Sequence, residues 1–293
     1  MIRLLVTGVN GQVACSLLES AAAHADIEVT AVGRPELDLE QPDTVAAAIL
    51  ATKPDIVVNA AAYTAVDKAE SEPQRAFAAN RDGAAAVAKA AHRLNIPLIH
   101  LSTDYVYPGD KPRPYVESDP TGPLGVYGQS KLEGEKAVMA AHAQAVILRT
   151  SWVYSPFGAN FVKTMLRLAK DRDVIRVVDD QHGNPTSALD IAAAILKIAP
   201  GLVEANGGQG GIFHCCGAGS TTWCGFARQI FAESARLGGP SPHVEAITSP
   251  EFPTPAKRPH NSRLDTSAFA KRFGFSLRPW QDATAETVLR LLA

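Results

Sequence analysis

Apolar runs alternate with helical stretches through the first half of the chain. Strands are predicted near residues 2–7, 28–32, 55–60, 97–102 and 146–150. Between them lie a helix over residues 13–22 and an alanine-rich stretch over residues 73–94. Alanine is the best helix former and packs closely against a sheet, so the alanine-rich stretch reads as a layer helix rather than a low-complexity segment. Such alternation implies a parallel sheet with helices on both faces, that is, an α/β fold of the Rossmann-type doubly wound kind. After Trp152 the pattern loosens. A helix over 161–170 and a strand over 175–178 are expected to cap a substrate, while a helix over 187–199 and a strand over 211–214 rejoin the core. A helix from Trp223, a proline-rich segment over 240–259 and a last helix from Trp280 complete a smaller C-terminal lobe. The expected division is residues 1–150 for a dinucleotide-binding domain, with 186–222 rejoining it, and residues 151–185 and 223–293 for a substrate-binding lobe. No internal repeat or separating linker is visible. The segment 207–211 is read as a flexible glycine loop rather than a phosphate cradle, because it precedes a strand and not a helix.

Composition narrows the function. With 293 residues there is room for one large α/β domain carrying a smaller lobe. A formal charge of −2 gives no basic footprint for nucleic acid. No apolar run approaches the length of a membrane span, and the opening residues are needed as the first strand rather than as a signal segment. The four cysteines at 15, 215, 216 and 224 show neither metal-ligand spacing nor a disulfide framework. These features point to a cytosolic enzyme with no nucleic-acid or membrane partner.

The most informative residues are Tyr127 and Lys131. Four residues is about one helical turn, so the two side chains share a face. A phenol near pKa 10 is a poor acid–base catalyst at neutrality, and a nearby ammonium is expected to bring it toward the working range. Taken alone, the pair could equally be an exposed tyrosine beside a solvated lysine. Three further features favour hydride transfer. First, the N-terminal strand runs into Gly8, Gly11 and Ala14, a spacing that lets the backbone turn tightly and seat a pyrophosphate on the amides of the following helix. Second, Gly33 and Arg34 follow the second strand, where an NAD site usually places an acid. Arginine can pair with a ribose 2′-phosphate, which favours NADPH over NADH, although a solvated loop arginine is an equal alternative. Third, Ser102, Thr103 and Asp104 lie at the end of the fourth strand, where open α/β sheets bind ligands. A hydroxyl there can hydrogen-bond a carbonyl oxygen as charge builds on it.

With segments 58–70, 102–107, 149–154, 160–165 and 180–186 and the pair Arg258 and Pro259, these residues resemble the extended short-chain dehydrogenase/reductases that act on nucleotide sugars. Within that family the chain is most similar to the dTDP-4-dehydrorhamnose reductases. The resemblance implies hydride transfer from NADPH to the C4 ketone of dTDP-4-dehydro-6-deoxy-L-mannose, giving dTDP-L-rhamnose for cell-surface polysaccharide. It implies Tyr127 as proton donor, Lys131 as the group that holds the nicotinamide ribose, and Thr103 as hydrogen-bond partner of the reacting oxygen. Gly11, Gln12 and Val13 match pyrophosphate contacts, Asp38 and Leu39 adenosine contacts, and Ala62, Tyr63 and Thr64 the wall against the ribose–nicotinamide half. Asp104 and Trp152 match positions that touch the sugar nucleotide. Asp38 could instead be a helix cap before Pro42, and Trp152 plain core. Some relatives form a magnesium-bridged dimer, but the aligned positions here are Ser16, Leu189 and an end without acids, Leu291-Leu292-Ala293. Magnesium needs hard oxygen ligands, so no metal is expected, and the chain is a monomer or a homodimer built on other contacts. Two rival readings remain: an epimerase or dehydratase on the same fold, and a non-catalytic NADP-binding subunit of the methionine adenosyltransferase type. A dehydratase usually has Thr-Asp-Glu where this chain has Thr103-Asp104-Tyr105.

Overall fold

The computed structural model describes residues 1–205, 208 and 210–293. Part of the glycine loop expected at 207–211 therefore lies outside the described residues. Strands β1 (Ile2–Thr7), β2 (Ile27–Val32), β3 (Ile56–Asn59), β4 (Leu98–Thr103) and β5 (Val146–Thr150), with the strand Gly211–His214, form one six-stranded parallel sheet. From one edge to the other the order is Gly211–His214, β5, β4, β3, β1, β2.

The strands read as continuous apolar runs because both faces of the sheet are covered. On one side Leu4, Val6, Val58, Ile99 and Leu148 pack with Leu17 of helix α1 (Gln12–Ala21) and with Ile191 and Ile195 of the helix Ala188–Glu204. On the other side Leu5, Val57, Leu98 and Ile147 meet Ile49 and Val87 from the helices Pro42–Thr52 and Ala84–Leu94. Neighbouring strand residues thus enter opposite cores, as a period of two requires.

Three features depart from the pattern read along the chain. The alanine-rich stretch is helical throughout, but a wider π-type segment, Ala78–Gly83, interrupts it. That segment brings Asn80 to the hydroxyl of Ser130, on the helix that carries Tyr127. The helix expected over 187–199 continues through Pro200 to Glu204. The proline-rich segment contains a strand, His243–Ile247, which pairs in parallel with Val174–Val178 at the edge of the smaller lobe. That lobe has its own core, in which Phe226, Ile230 and Phe231 meet Val162, Trp280 and Val288. Among the described residues no helix is long and apolar enough to cross a membrane, and the four cysteines are unpaired.

Candidate active site

The strand ends that face the cleft are tied together below it. The Thr7 hydroxyl donates to Asn59 Oδ1 at 2.7 Å and accepts from the backbone amides of Ala60 and Ala61. Asn59 Nδ2 lies 3.0 Å from His100 Nδ1. This chain of buried polar groups aligns the ends of β1, β3 and β4. Above them opens a cavity of about 1000 Å³, bounded on one side by the parallel sheet and on the other by the lobe.

The glycine loop forms one end of the cavity. Gly8 has φ +88°, a conformation that L side chains rarely adopt. Gly11 precedes α1 without any side-chain cap on the helix amides, and a Cβ there would meet no protein atom within 4 Å. Uncapped amides facing open space suit an anionic group such as a pyrophosphate. The side chain of Gln12 is engaged elsewhere. Its Oε1 accepts from Ser155 at 2.8 Å and from Asn160 at 3.0 Å, so it ties the loop to the lobe and leaves its backbone to the cavity.

Gly8, Gly11, Gln12, Val13, Arg34 and Leu39 line this end, and Ala62, Tyr63 and Thr64 form the wall toward the middle. The wall is held in register by Asn80, which accepts from the Tyr63 amide at 2.8 Å and donates to the Tyr63 carbonyl at 3.0 Å. Arg34 is two-thirds exposed and makes only long contacts, 3.5 Å each, to Asp38 and Glu40. Glu40 is already gripped by Arg75 at 2.8 and 3.0 Å, so Arg34 can swing to a phosphate without leaving a carboxylate bare. Asp38 is the one predicted residue that does not line the cavity. Its Oδ1 accepts from the Glu40 amide at 3.0 Å and shapes the turn that precedes Pro42.

At the far end stand Tyr127, Lys131, Thr103, Asp104 and Trp152. Tyr127 and Lys131 lie on the helix Val126–Ala141. Gly128 and Gly134 let that helix approach closely, since a Cβ on either would collide with the carbonyl oxygen of Tyr105 or Asn80. Glu70 accepts from the Val126 amide at 2.8 Å and fixes its first turn. Thr103 accepts from the Tyr105 amide at 3.2 Å and donates to Asp104 Oδ1 at 2.9 Å.

The electrostatics differ from the expectation in one respect. Burial, reinforced by the Asp104 charge and the adjoining Tyr105, pushes the Tyr127 phenol above its ordinary value, and the Thr103 hydroxyl only partly offsets this. Lys131 is not among the groups that shift it, because its Nζ turns to the Leu101 carbonyl at 2.7 Å. Burial pulls Lys131 itself down to about 8, with the Glu135 carboxylate acting in the opposite direction. Near neutrality, then, Tyr127 is a neutral phenol ready to give up a proton. Lys131 is a charge close enough to its own titration to respond to its surroundings. Burial also pushes Asp104 up to about 6. Its Oδ2 and the hydroxyl of Thr150 are buried without a hydrogen-bond partner among the described residues. Both atoms are closed off from solvent, and the Ser262 hydroxyl partly holds the Asp104 carboxyl down.

Three cavity residues were not assigned from the sequence. Trp223 stacks on Trp152 with ring centroids 3.7 Å apart. Trp152 is only partly buried and has φ +47°, so it is a shaped wall rather than plain core. Arg258 reaches in from the lobe, donating to the Tyr105 hydroxyl at 2.9 Å and pairing with Asp67 at 2.7 Å. Tyr105 meets the Tyr127 ring edge-on at 5.6 Å. The Arg258-Pro259 pair was a visible signal for Arg258, and Tyr105 stood within the segment 102–107; for Trp223 no local signal existed.

The comparisons with known proteins agree with this geometry. The family profile described as RmlD substrate binding domain matches residues 2–292. A dTDP-4-dehydrorhamnose reductase of Sinorhizobium fredii is 51% identical over 292 residues, covering 99% of this chain and 98% of that one. Among solved structures, a dTDP-4-dehydrorhamnose reductase of Clostridium acetobutylicum superposes with a TM-score of 0.91 at 36% identity, covering 100% of both chains. One from Bacillus anthracis, in complex with NADP, superposes with a TM-score of 0.90 at 33% identity, covering 99% of both.

Proposed function

The chain belongs to the RmlD family of dTDP-4-dehydrorhamnose reductases, and on that premise we propose that it reduces the C4 ketone of dTDP-4-dehydro-6-deoxy-L-mannose to dTDP-L-rhamnose. It is an NADPH-dependent oxidoreductase. The observation that carries the specific reading is the grouping of Tyr127, Lys131 and Thr103 in one cavity with two partnerless polar atoms beside them.

The uncapped amides of α1 hold the pyrophosphate, with Gly8, Gly11, Gln12 and Val13 giving the backbone its close approach. Arg34 turns from Asp38 and Glu40 to the 2′-phosphate, and Leu39 supports the adenosine. Asp38 acts through the turn it organises. Bound NADPH supplies the hydride that forms the new C–H bond at C4. The Thr103 hydroxyl and the Tyr127 phenol line the same end of the cavity and would both serve a ketone oxygen seated there. As hydride arrives, the C=O π pair moves onto that oxygen and Tyr127 releases its proton to it. Burial keeps the phenol protonated beforehand but makes it a weaker acid, so its proton leaves only as negative charge builds on the ketone oxygen. Lys131 holds the ribose and stabilises the phenolate left behind. Asp104 and Thr150 bind sugar hydroxyls, Trp152 and Trp223 form an aromatic wall, and Arg258 neutralises the diphosphate.

We place the reaction in dTDP-rhamnose supply for cell-surface polysaccharide, in the cytoplasm, with no metal and with a monomer or a metal-free homodimer as the working unit. The test is NADPH oxidation with purified dTDP-4-dehydro-6-deoxy-L-mannose, with the product identified as dTDP-L-rhamnose. Turnover only with this substrate supports the reading. No turnover, together with tight binding to a methionine adenosyltransferase, would replace it with the regulatory one.

A further inference from the structure

Directly behind the catalytic pair lies a buried ion pair to which the reaction as described gives no role. Glu135 sits four residues after Lys131, one turn along the same helix face, and both are buried. Its carboxylate is pinned from two strands. Ser102, the residue before Thr103 on β4, donates to Oε1. Arg149 of β5 forks onto both oxygens, Nε to Oε1 at 2.9 Å and Nη2 to Oε2 at 2.6 Å. Arg149 is anchored in turn, its Nη1 donating to the Tyr107 hydroxyl at 2.6 Å. That hydroxyl lies 2.8 Å from His214 Nε2, and His214 Nδ1 donates to the Asp265 carbonyl at 2.9 Å. The carboxylate is therefore fixed in place, and it joins β4, β5 and the catalytic helix at the level of the site.

We propose that Glu135 is a positioning residue for hydride transfer: its pinned carboxylate keeps the Lys131 ammonium charged and oriented along the Leu101 carbonyl, beneath the cavity. The proposal rests on Lys131 having the catalytic role given above. A salt bridge whose only task was to join helix to sheet would not need to stand one turn from a buried lysine. A buried ammonium left without an anion tends to lose its proton. Around Lys131 the other titratable groups cannot do this work. His100 on β4 is held neutral by burial and by the lysine charge. Tyr127 and Tyr105 are neutral phenols, and the Asp104 carboxyl, ionised above about 6, is not among the groups that shift Lys131. Arg149 is itself a cation and is committed to Glu135. Glu135 is the one carboxylate whose charge acts to keep Lys131 protonated.

The test compares wild type, Glu135→Gln and Lys131→Met. For the first two, kcat/KM is measured from pH 6 to pH 10, and Lys131 is titrated by carbon-13 NMR of lysine-labelled protein, its signal identified by its absence from Lys131→Met. Removing an opposite charge one helical turn from a buried ammonium should lower the lysine pKa and the alkaline limb of activity together, by about 1–3 units. Glu135→Gln leaves Arg149 buried without its partner, so it can fail to fold. The double variant Glu135→Gln/Arg149→Met removes both charges, and it should show the same downward shift. A folded variant whose lysine titration and alkaline limb match wild type overturns the proposal, even if its melting temperature falls. If Lys131→Met itself turns over normally, the fault lies in the role given to Lys131 and not in Glu135.

Discussion

The two ends of the cavity are built in different ways. The end proposed for the cofactor is shaped by backbone: the turn at Gly8, the uncapped start of α1 and the wall at 62–64, all drawn from the first third of the chain. At the substrate end it meets side chains gathered from Thr103 and Asp104, from Trp152, and from Trp223 and Arg258 of the lobe. The side-chain end carries a positive φ at Trp152, an orphaned Asp104 and an orphaned Thr150. Strain and unmet hydrogen bonds are tolerated where a specific ligand must be read, and they cost stability that the core supplies. Phosphate recognition needs only amides and one cation, so that end folds without such costs. Gln12 is the link, the first residue of α1, whose side chain is bonded to Ser155 and Asn160 of the lobe.

This contrast can be broken by substitutions that should affect one end and spare the other. Lys131→Met is the exception by design: it touches ribose and phenolate together. It should lower kcat by about 10²–10⁴-fold and also weaken NADPH binding, as read by steady-state kinetics and cofactor fluorescence. Arg34→Ala should weaken NADPH binding by roughly tenfold to a hundredfold and leave NADH almost unchanged. Equal affinity of the unsubstituted protein for the two cofactors would remove the reason given for Arg34. Arg258→Met is the mirror image. It should raise the KM for the sugar nucleotide by about tenfold with the NADPH dissociation constant unchanged, and a matching loss of NADPH affinity would mean that the two ends are not separable.

The smallest effect concerns stability. Burial raises the Asp104 carboxyl to about 6, above its unfolded value, so its protonated form is the one the fold accommodates. The stabilising contribution is complete below the unfolded pKa of about 4 and is lost as pH rises through about 6. Asp104→Asn, which keeps an acceptor for Thr103, should therefore stabilise the protein by on the order of 2 kcal/mol at pH 8 and by almost nothing at pH 4. Urea melts at the two pH values decide this, and an equal change at both would show that the carboxyl is not desolvated as described.

Much of the cofactor end could be read along the chain because it is local. A strand, two spaced glycines and a helix are contiguous, and strands buried on both faces leave unbroken apolar runs. The spacing of Tyr127 and Lys131 gave their shared face for the same reason. It did not give the direction of Nζ, which donates to the Leu101 carbonyl of β4, so before the reaction burial rather than the lysine charge decides which way the phenol shifts. Trp223 and Arg258 reach the site through the packing of the lobe; the Arg258-Pro259 pair pointed to Arg258, while nothing in the sequence around Trp223 did so. Glu135 looks like a surface charge until Ser102 and Arg149 are placed around it. The π-type segment at Ala78–Gly83 was hidden by alanines that suit any helical winding. The strand His243–Ile247 was hidden by the prolines around it and by its half-exposed edge position.

The central claim is that Tyr127 gives a proton at the substrate end without serving the cofactor end. It is tested most directly by single-turnover hydride transfer in Tyr127→Phe, with NADPH binding measured on the same sample. The account predicts a rate lower by about a hundredfold or more with the NADPH dissociation constant essentially that of the unsubstituted protein. A normal single-turnover rate, or a loss of NADPH affinity as large as the loss of rate, would contradict it.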